Sequence, residues 1–202
     1  MGINKDRTGE EKLNNQGVKM RILKYNNAHD IIVQFDSGYM TKSKYVNFTE
    51  GIIKDLYCKT VYNHGYLGEG EYKATVNGKN TKMYAVWNSM LQRCYDKDIK
   101  HNLDSYSNCI VCEQWLNFQN FAKLFDNNYY EIEGQKMQLD KDILYKGNKI
   151  YSPDTCMFVP QEINLMFRKN CNLNYKKMKN MVDKYNGLIP NKLSEAMFNH
   201  LQ

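Results

Sequence analysis

The side chains best suited to chemistry in this 202-residue chain lie between Met137 and Arg168, in the stretch MQLDKDILYKGNKIYSPDTCMFVPQEINLMFR. Asp140 and Asp142 are carboxylates at neutral pH and supply hard oxygen ligands without any change of protonation. Such a donor set suits Mg²⁺ or Mn²⁺. Lys141 stands between the two acids. While charged it has only donors, so it can neither ligate a metal nor take a proton. At its ordinary pKa of about 10.4 it is a poor base unless deeply buried. On a regular strand Asp140 and Asp142 point one way and Lys141 the other.

The elements that must hold these side chains can be read from the flanking residues. Gln138, Leu139 and Ile143 read as one short strand carrying both acids. Gly147-Asn148 marks a turn, since Gly tolerates positive φ and Asn nearly so. Cys156 to Val159 is a compact apolar run of strand length. Pro160 stands where a helix starts, with Gln161 and Glu162 in its first turn. Ile163, Leu165, Met166 and Phe167 supply its apolar surface. The order is strand, loop, strand, helix.

This stretch resembles the HNH branch of the ββα-metal (His-Me finger) nucleases, and most of all their phage-borne versions with a D-R-I-D-N-N-G-N-Y-S-P-E-N-C-R-W type core. The matching residues are Leu139-Asp140-Lys141, Gly147-Asn148, Tyr151-Ser152-Pro153-Asp154-Thr155-Cys156-Met157-Phe158 and Asn164. Upstream, Trp87-Asn88-Ser89-Met90-Leu91-Gln92-Arg93-Cys94-Tyr95 and Val111-Cys112-Glu113-Gln114-Trp115, then Phe118 and Phe121, are similar to elements that precede that core. The resemblance spans roughly residues 65 to 168 and rests on the order of its motifs rather than on any one of them. It implies a metal-dependent DNA endonuclease in which Asp140 and Asn164, with Asp142 assisting, hold Mg²⁺ or Mn²⁺. The family's general base is a His after the acidic strand residue; that position is Lys141 here. The Asn that braces the base corresponds to Thr155, and no His lies between Asp140 and Asn164. The alternative implied by these departures is a catalytically inactive binding protein on a nuclease scaffold, such as a phage inhibitor of a host defence system. A purely structural protein is a third reading.

Charge bears on the partner. The chain carries a formal net charge of +6 and a pI near 8.8. Arg168, Lys169, Lys176, Lys177, Lys179 and Lys184 crowd the stretch after the core, against Asp183 alone. A solvated helix face would look the same, but beside a nuclease-like core the cluster suggests phosphate contacts with duplex DNA. A protein partner remains the other option. No apolar run approaches the roughly 18 residues of a membrane span, and the N-terminus lacks a signal-peptide core. The expected setting is intracellular, the cytoplasm of an infected bacterial host. There the six cysteines are reduced or metal-bound rather than paired. Cys109-Ile110-Val111-Cys112 is a single C-x-x-C. A structural zinc would need Cys94 and Cys156 brought beside it, and otherwise these are small buried apolar side chains.

The remaining chain frames this core. Residues 1–16 are charged, Asn-rich and aperiodic, and are expected to be mobile. A β-rich module over 17–62 follows, with strands at Val18–Tyr25, Asp30–Phe35 and Tyr39–Val46 and a turn at Asp36-Ser37-Gly38. Phe48 and Gly51-Ile52-Ile53 continue its pattern. This module resembles one that phage proteins place before HNH-like cores, with DNA contact, partner contact or packing as its role. Residues 61–70 form a glycine-rich linker without a nucleotide-binding pattern. Glu71–Val76 is expected as a strand, with Asn77-Gly78 as a hairpin turn. Met83, Trp87, Met90, Leu91 and Cys94 recur at helical spacing, as do Trp115, Phe118, Phe121, Leu124 and Phe125. After the core, Leu173–Tyr185 reads as a basic helix and Pro190 opens a last short one. The fold expected is α+β: a small N-terminal β module, an HNH-like ββα domain over 63–170 flanked by helices, and a basic helical segment over 171–202.

Overall fold

The computed structural model describes residues 5–98, 106–167 and 173–201. It is a mixed helix and sheet protein. The chain divides into two compact units, residues 1–70 and 71–202. The division falls at the far end of the glycine-rich stretch, not at the 62/63 boundary expected from the sequence.

The first unit is a four-stranded antiparallel meander in the order β1 (Glu11–Leu13), β2 (Lys19–Asn27), β3 (Asp30–Phe35), β4 (Met40–Ser43). Its core face carries Met20, Ile22, Ile31, Val33 and Phe35, all buried. The alternation breaks after Ile22, where the register slips so that Lys24 rather than Leu23 pairs with Ile32. This bulge turns Lys24 outward and brings Tyr25 opposite Ile31.

Two expectations change here. The stretch expected to be mobile includes β1, because Glu11–Leu13 zips onto Lys19–Arg21. Residues from Tyr45 onward leave the sheet as helix α1 (Tyr45–Glu50), which places Tyr45 and Phe48 one turn apart and stacked. Gly51 ends it in the left-handed region at φ 70°, closing the helix as glycine does at such a position.

The second unit begins with a hairpin of β5 (Thr75–Val76) and β6 (Lys79–Asn80) around Asn77-Gly78, whose φ values are 50° and 73°. Thr81 then caps α2 (Lys82–Tyr95), its hydroxyl accepting from the Tyr84 N–H. Of the expected stripe, Trp87, Met90, Leu91 and Cys94 are buried and Met83 is half-buried. Strand β7 (Ile110–Val111) leads to α3 (Glu113–Leu116) and α4 (Phe118–Asn128), separated by Asn117, which caps α4 through the Gln119 N–H. The Trp87 indole N–H donates to the Trp115 carbonyl at 2.7 Å, tying α2 to α3 inside the core.

Next come β8 (Met137–Asp140), β9 (Ile150–Tyr151), β10 (Met157–Pro160) and α5 (Gln161–Met166). The unit closes with α6 (Tyr175–Lys184) and α7 (Asn191–Asn199). β8 and β10 are antiparallel, with Met157 opposite Asp140 and Phe158 opposite Leu139. β9 pairs instead with β7, in parallel. Since alternate residues of a strand face opposite ways, the hairpin has two distinct surfaces. Leu139 and Phe158 share one, where Phe158 meets the rings of Phe125 and Tyr129 edge-on. Val159 takes the other and joins Ile163, Met178, Leu193 and Met197 in a cluster built from α5, α6 and α7.

Candidate functional site

The first strand ends at Asp140, and the reason is local. Oδ1 of Asp140 accepts from the backbone N–H groups of Asp142 and Ile143, at 2.8 and 2.7 Å. A carboxylate that captures its own downstream N–H groups turns the chain and stops the ladder. The strict alternation expected for Asp140, Lys141 and Asp142 therefore does not extend past Asp140, and Ile143 lies outside the strand, buried in the cluster with Val159 and Ile163. Burial pushes the Asp140 carboxyl above the usual carboxylate range, partly offset by the two N–H groups.

Lys141 is only 4% exposed. Its Nζ donates to Oδ2 of Asp142 at 2.7 Å and to the Asn148 carbonyl at 2.9 Å. Asn148 answers with its own amide, donating to the Lys141 and Ile150 carbonyls at 2.9 and 2.7 Å. The loop between β8 and β9 is thus stapled from both sides, and Lys141 is neither a solvated outer-face side chain nor a free base. Thr155 works in the same way. Its hydroxyl donates to the Ile150 carbonyl at 2.7 Å and stands 2.9 Å from the Ser152 hydroxyl, bracing the turn into β10 rather than touching Lys141.

Asn164 lies on α5 and donates from Nδ2 to Oε1 of Gln138. Gln138 sits two residues before Asp140, so both belong to the same surface of β8. The structure therefore brings Asn164 to Gln138, on the surface of β8 that also carries Asp140, with the contact of Asn164 made to Gln138. Sequence reasoning misses Gln138 as a site residue, although its place two residues before Asp140 is the signal that marks it.

What remains available on that face is a small set of oxygens. Neither Oδ2 of Asp140 nor the amide oxygen of Asn164 accepts a hydrogen bond from the described residues. These are hard donors of the kind a divalent cation takes while keeping most of its waters, so their chemistry fits Mg²⁺ or Mn²⁺. Asp142 is already neutralised by Lys141. Among the described residues no three His, Cys, Asp or Glu side chains gather into a metal set. That includes Cys94, Cys109, Cys112 and Cys156. Cys94 and Cys109 are wholly buried, and all four are free thiols. Burial pushes the Cys156 thiol up to about 12.

Of the six cationic side chains in the cluster expected to meet phosphates, Arg168 and Lys169 lie outside the described residues and Lys184 is paired with Glu162. Lys176, Lys177 and Lys179 are exposed on α6. That helix is fastened to the hairpin's helix by Glu162, whose carboxylate accepts from the Lys184 ammonium and from the Tyr185 hydroxyl at 2.7 Å. Those two donors hold the Glu162 carboxyl below its ordinary range. Beside β8, a cavity of about 850 Å³ is lined by Lys82, Ser89 and Arg93 of α2, by the 129–136 segment and by Met137, Gln138 and Leu139. No helix among the described residues is long and apolar enough to cross a membrane. Comparison with protein-family models, with curated proteins and with solved structures found no match to this chain.

Proposed function

We propose that this chain is a nucleic-acid-binding protein of HNH-like type, with duplex DNA as its partner, and that any cleavage it performs is weak. One observation carries the second half of this reading. Lys141, at the position where the resembling nucleases keep their base, is buried in an ion pair with Asp142 and in a hydrogen bond to the Asn148 carbonyl. An ammonium so held has no lone pair for a proton and stabilises the loop instead. The first half is supported by the exposed lysines of α6 and by the oxygens of Asp140 on β8 and of Asn164, which is tied to the same strand through Gln138.

When bound there, Mg²⁺ or Mn²⁺ would supply Lewis-acid polarisation of a phosphate oxygen. The protein's own part is to hold Asp140 through its two N–H groups, to hold Asn164 through Gln138, and to lay the phosphate chain along α6. A catalytically inactive role, such as blocking a host defence system in an infected bacterial cytoplasm, fits the same geometry. Incubation of the purified protein with supercoiled plasmid and Mn²⁺, alongside duplex binding by fluorescence anisotropy, tests the proposal. Salt-sensitive binding with little nicking is expected. Rapid, Asp140-dependent linearisation would overturn the weak-cleavage reading, and no binding at low salt would overturn the rest.

A further inference from the structure

The first unit has a surface that the hairpin site does not use. Its sheet buries one face against α1 and leaves the other open. Register and alternation place the side chains of that open face in rows. Arg21 pairs across with Gln34, and Gln34 with Met40. In the next row Lys24 pairs with Ile32, and Ile32 with Lys42. On the outer strand Leu13 lies beside Lys19. Lys24 is on this face only because of the bulge after Ile22.

The charge here is one-sided. Glu11 is the acid opposite Arg21, and it is engaged by Lys19 at 2.7 Å. Arg21, Lys24 and Lys42 form no salt bridge with any described residue. An arginine and a glutamine sit side by side, flanked by two lysines. Bidentate contacts to guanine and adenine edges use the first pair of residue types, and phosphates take the second. The span also fits. Strands lie about 4.8 Å apart, so β2, β3 and β4 together cover about 10 Å, against a major groove about 12 Å wide.

We propose that the open face of this sheet is a second DNA-binding surface, seating in the major groove of a duplex with Arg21 and Gln34 toward the bases and Lys24 and Lys42 toward the two backbones. This is independent of the hairpin site and of α6.

The test uses the full chain and a labelled random-sequence duplex of about 20 base pairs, with anisotropy read from about 50 to 200 mM salt. Lys24→Ala with Lys42→Ala should lower the log–log salt slope by about two and weaken binding on the order of tenfold at about 0.1 M salt. Arg21→Ala should flatten the sequence preference recovered by selection from the random pool, by about tenfold at the preferred base. All of these positions are exposed or half-exposed, and Lys24→Gln with Lys42→Gln, checked by circular dichroism, guards against misfolding.

An unchanged slope in both double variants overturns the proposal, as does a wild type that binds no duplex at about 50 mM salt. Equal loss of binding to phosphatidylserine vesicles would also overturn it, by assigning the face to anionic surfaces in general. Lys176→Ala with Lys177→Ala and Lys179→Ala separates the two sites. If that variant alone loses affinity, the α6 reading stands and this one falls; if only the sheet variants do, the reverse holds.

Discussion

Asp140 has one observed role, holding a turn, and one proposed role, holding a cation, and one pair of substitutions can separate them. Its Oδ1 accepts two backbone N–H groups, at 2.8 and 2.7 Å, while Oδ2 accepts no hydrogen bond from the described residues. Asp140→Asn keeps an Oδ1 that can accept both bonds and removes a carboxylate whose charged form burial disfavours. Its stability should lie within about 1 kcal/mol of wild type, with a gain as readily as a loss. Asp140→Ala strips both bonds and leaves two half-buried N–H groups without partners. Each such bond is worth about 1–2 kcal/mol when an ionised acceptor is involved, so the loss should be about 2–4 kcal/mol. For a unit of this size that corresponds to a fall in melting temperature of roughly 6–20 °C.

The pH dependence follows from the same carboxyl. Its pKa in the folded protein is above the ordinary value, so the native state holds the proton more tightly than the unfolded chain. Stability from this group therefore falls as pH rises from about 4 through the raised pKa, and that fall should be missing in Asp140→Asn. Thermal melts of the three proteins across pH, with Mn²⁺ calorimetry beside them, read both roles. Both variants should lose metal binding, but only the alanine should lose stability. Equal destabilisation by both would refute Oδ1 as the acceptor that holds the turn.

Four further outcomes are expected. Lys141→Ala removes the cation from Asp142 and the donor from the Asn148 carbonyl, so it should cost about 2 kcal/mol in chemical denaturation while leaving Mn²⁺ binding nearly intact. Lys141→His, which puts the base of the resembling nucleases at this position, should raise plasmid nicking in Mn²⁺ above wild type. Thr155→Ala loses the bond to the Ile150 carbonyl and should cost about 1 kcal/mol, with DNA affinity unchanged. Cys156, whose thiol burial raises to about 12, should resist iodoacetamide at neutral pH in the folded protein and react after denaturation, as mass spectrometry would show.

The periodic elements are legible in the sequence, and the loop chemistry is hidden in it. The Trp87 to Cys94 stripe, the Asn77-Gly78 hairpin and the strand-to-helix passage at Pro160 each follow from local rules that tertiary packing leaves intact. The region between Asp140 and Ile150 cannot be read that way. An acid that captures N–H groups two and three residues on ends a strand whatever its hydrophobic pattern says, so the pattern assigns Ile143 to β8 when it lies in the core beyond it. Alternation points Lys141 outward, yet its position is set by the Asn148 carbonyl seven residues away. The bulge after Ile22 has the same character: alternation alone does not say that Leu23 is skipped in the pairing. Tyr45 to Glu50 satisfies both a strand pattern and a short helix, and Gly51 at positive φ decides for the helix.

The central proposal, that the second unit grips the DNA backbone through α6 beside the Asp140 face, is tested most directly by the salt dependence of duplex affinity. Wild type should show a steep log–log slope, and neutralising Lys176, Lys177 and Lys179 together should reduce it by up to about three units. An affinity that does not change with salt, or a triple variant whose slope equals that of wild type, would contradict it.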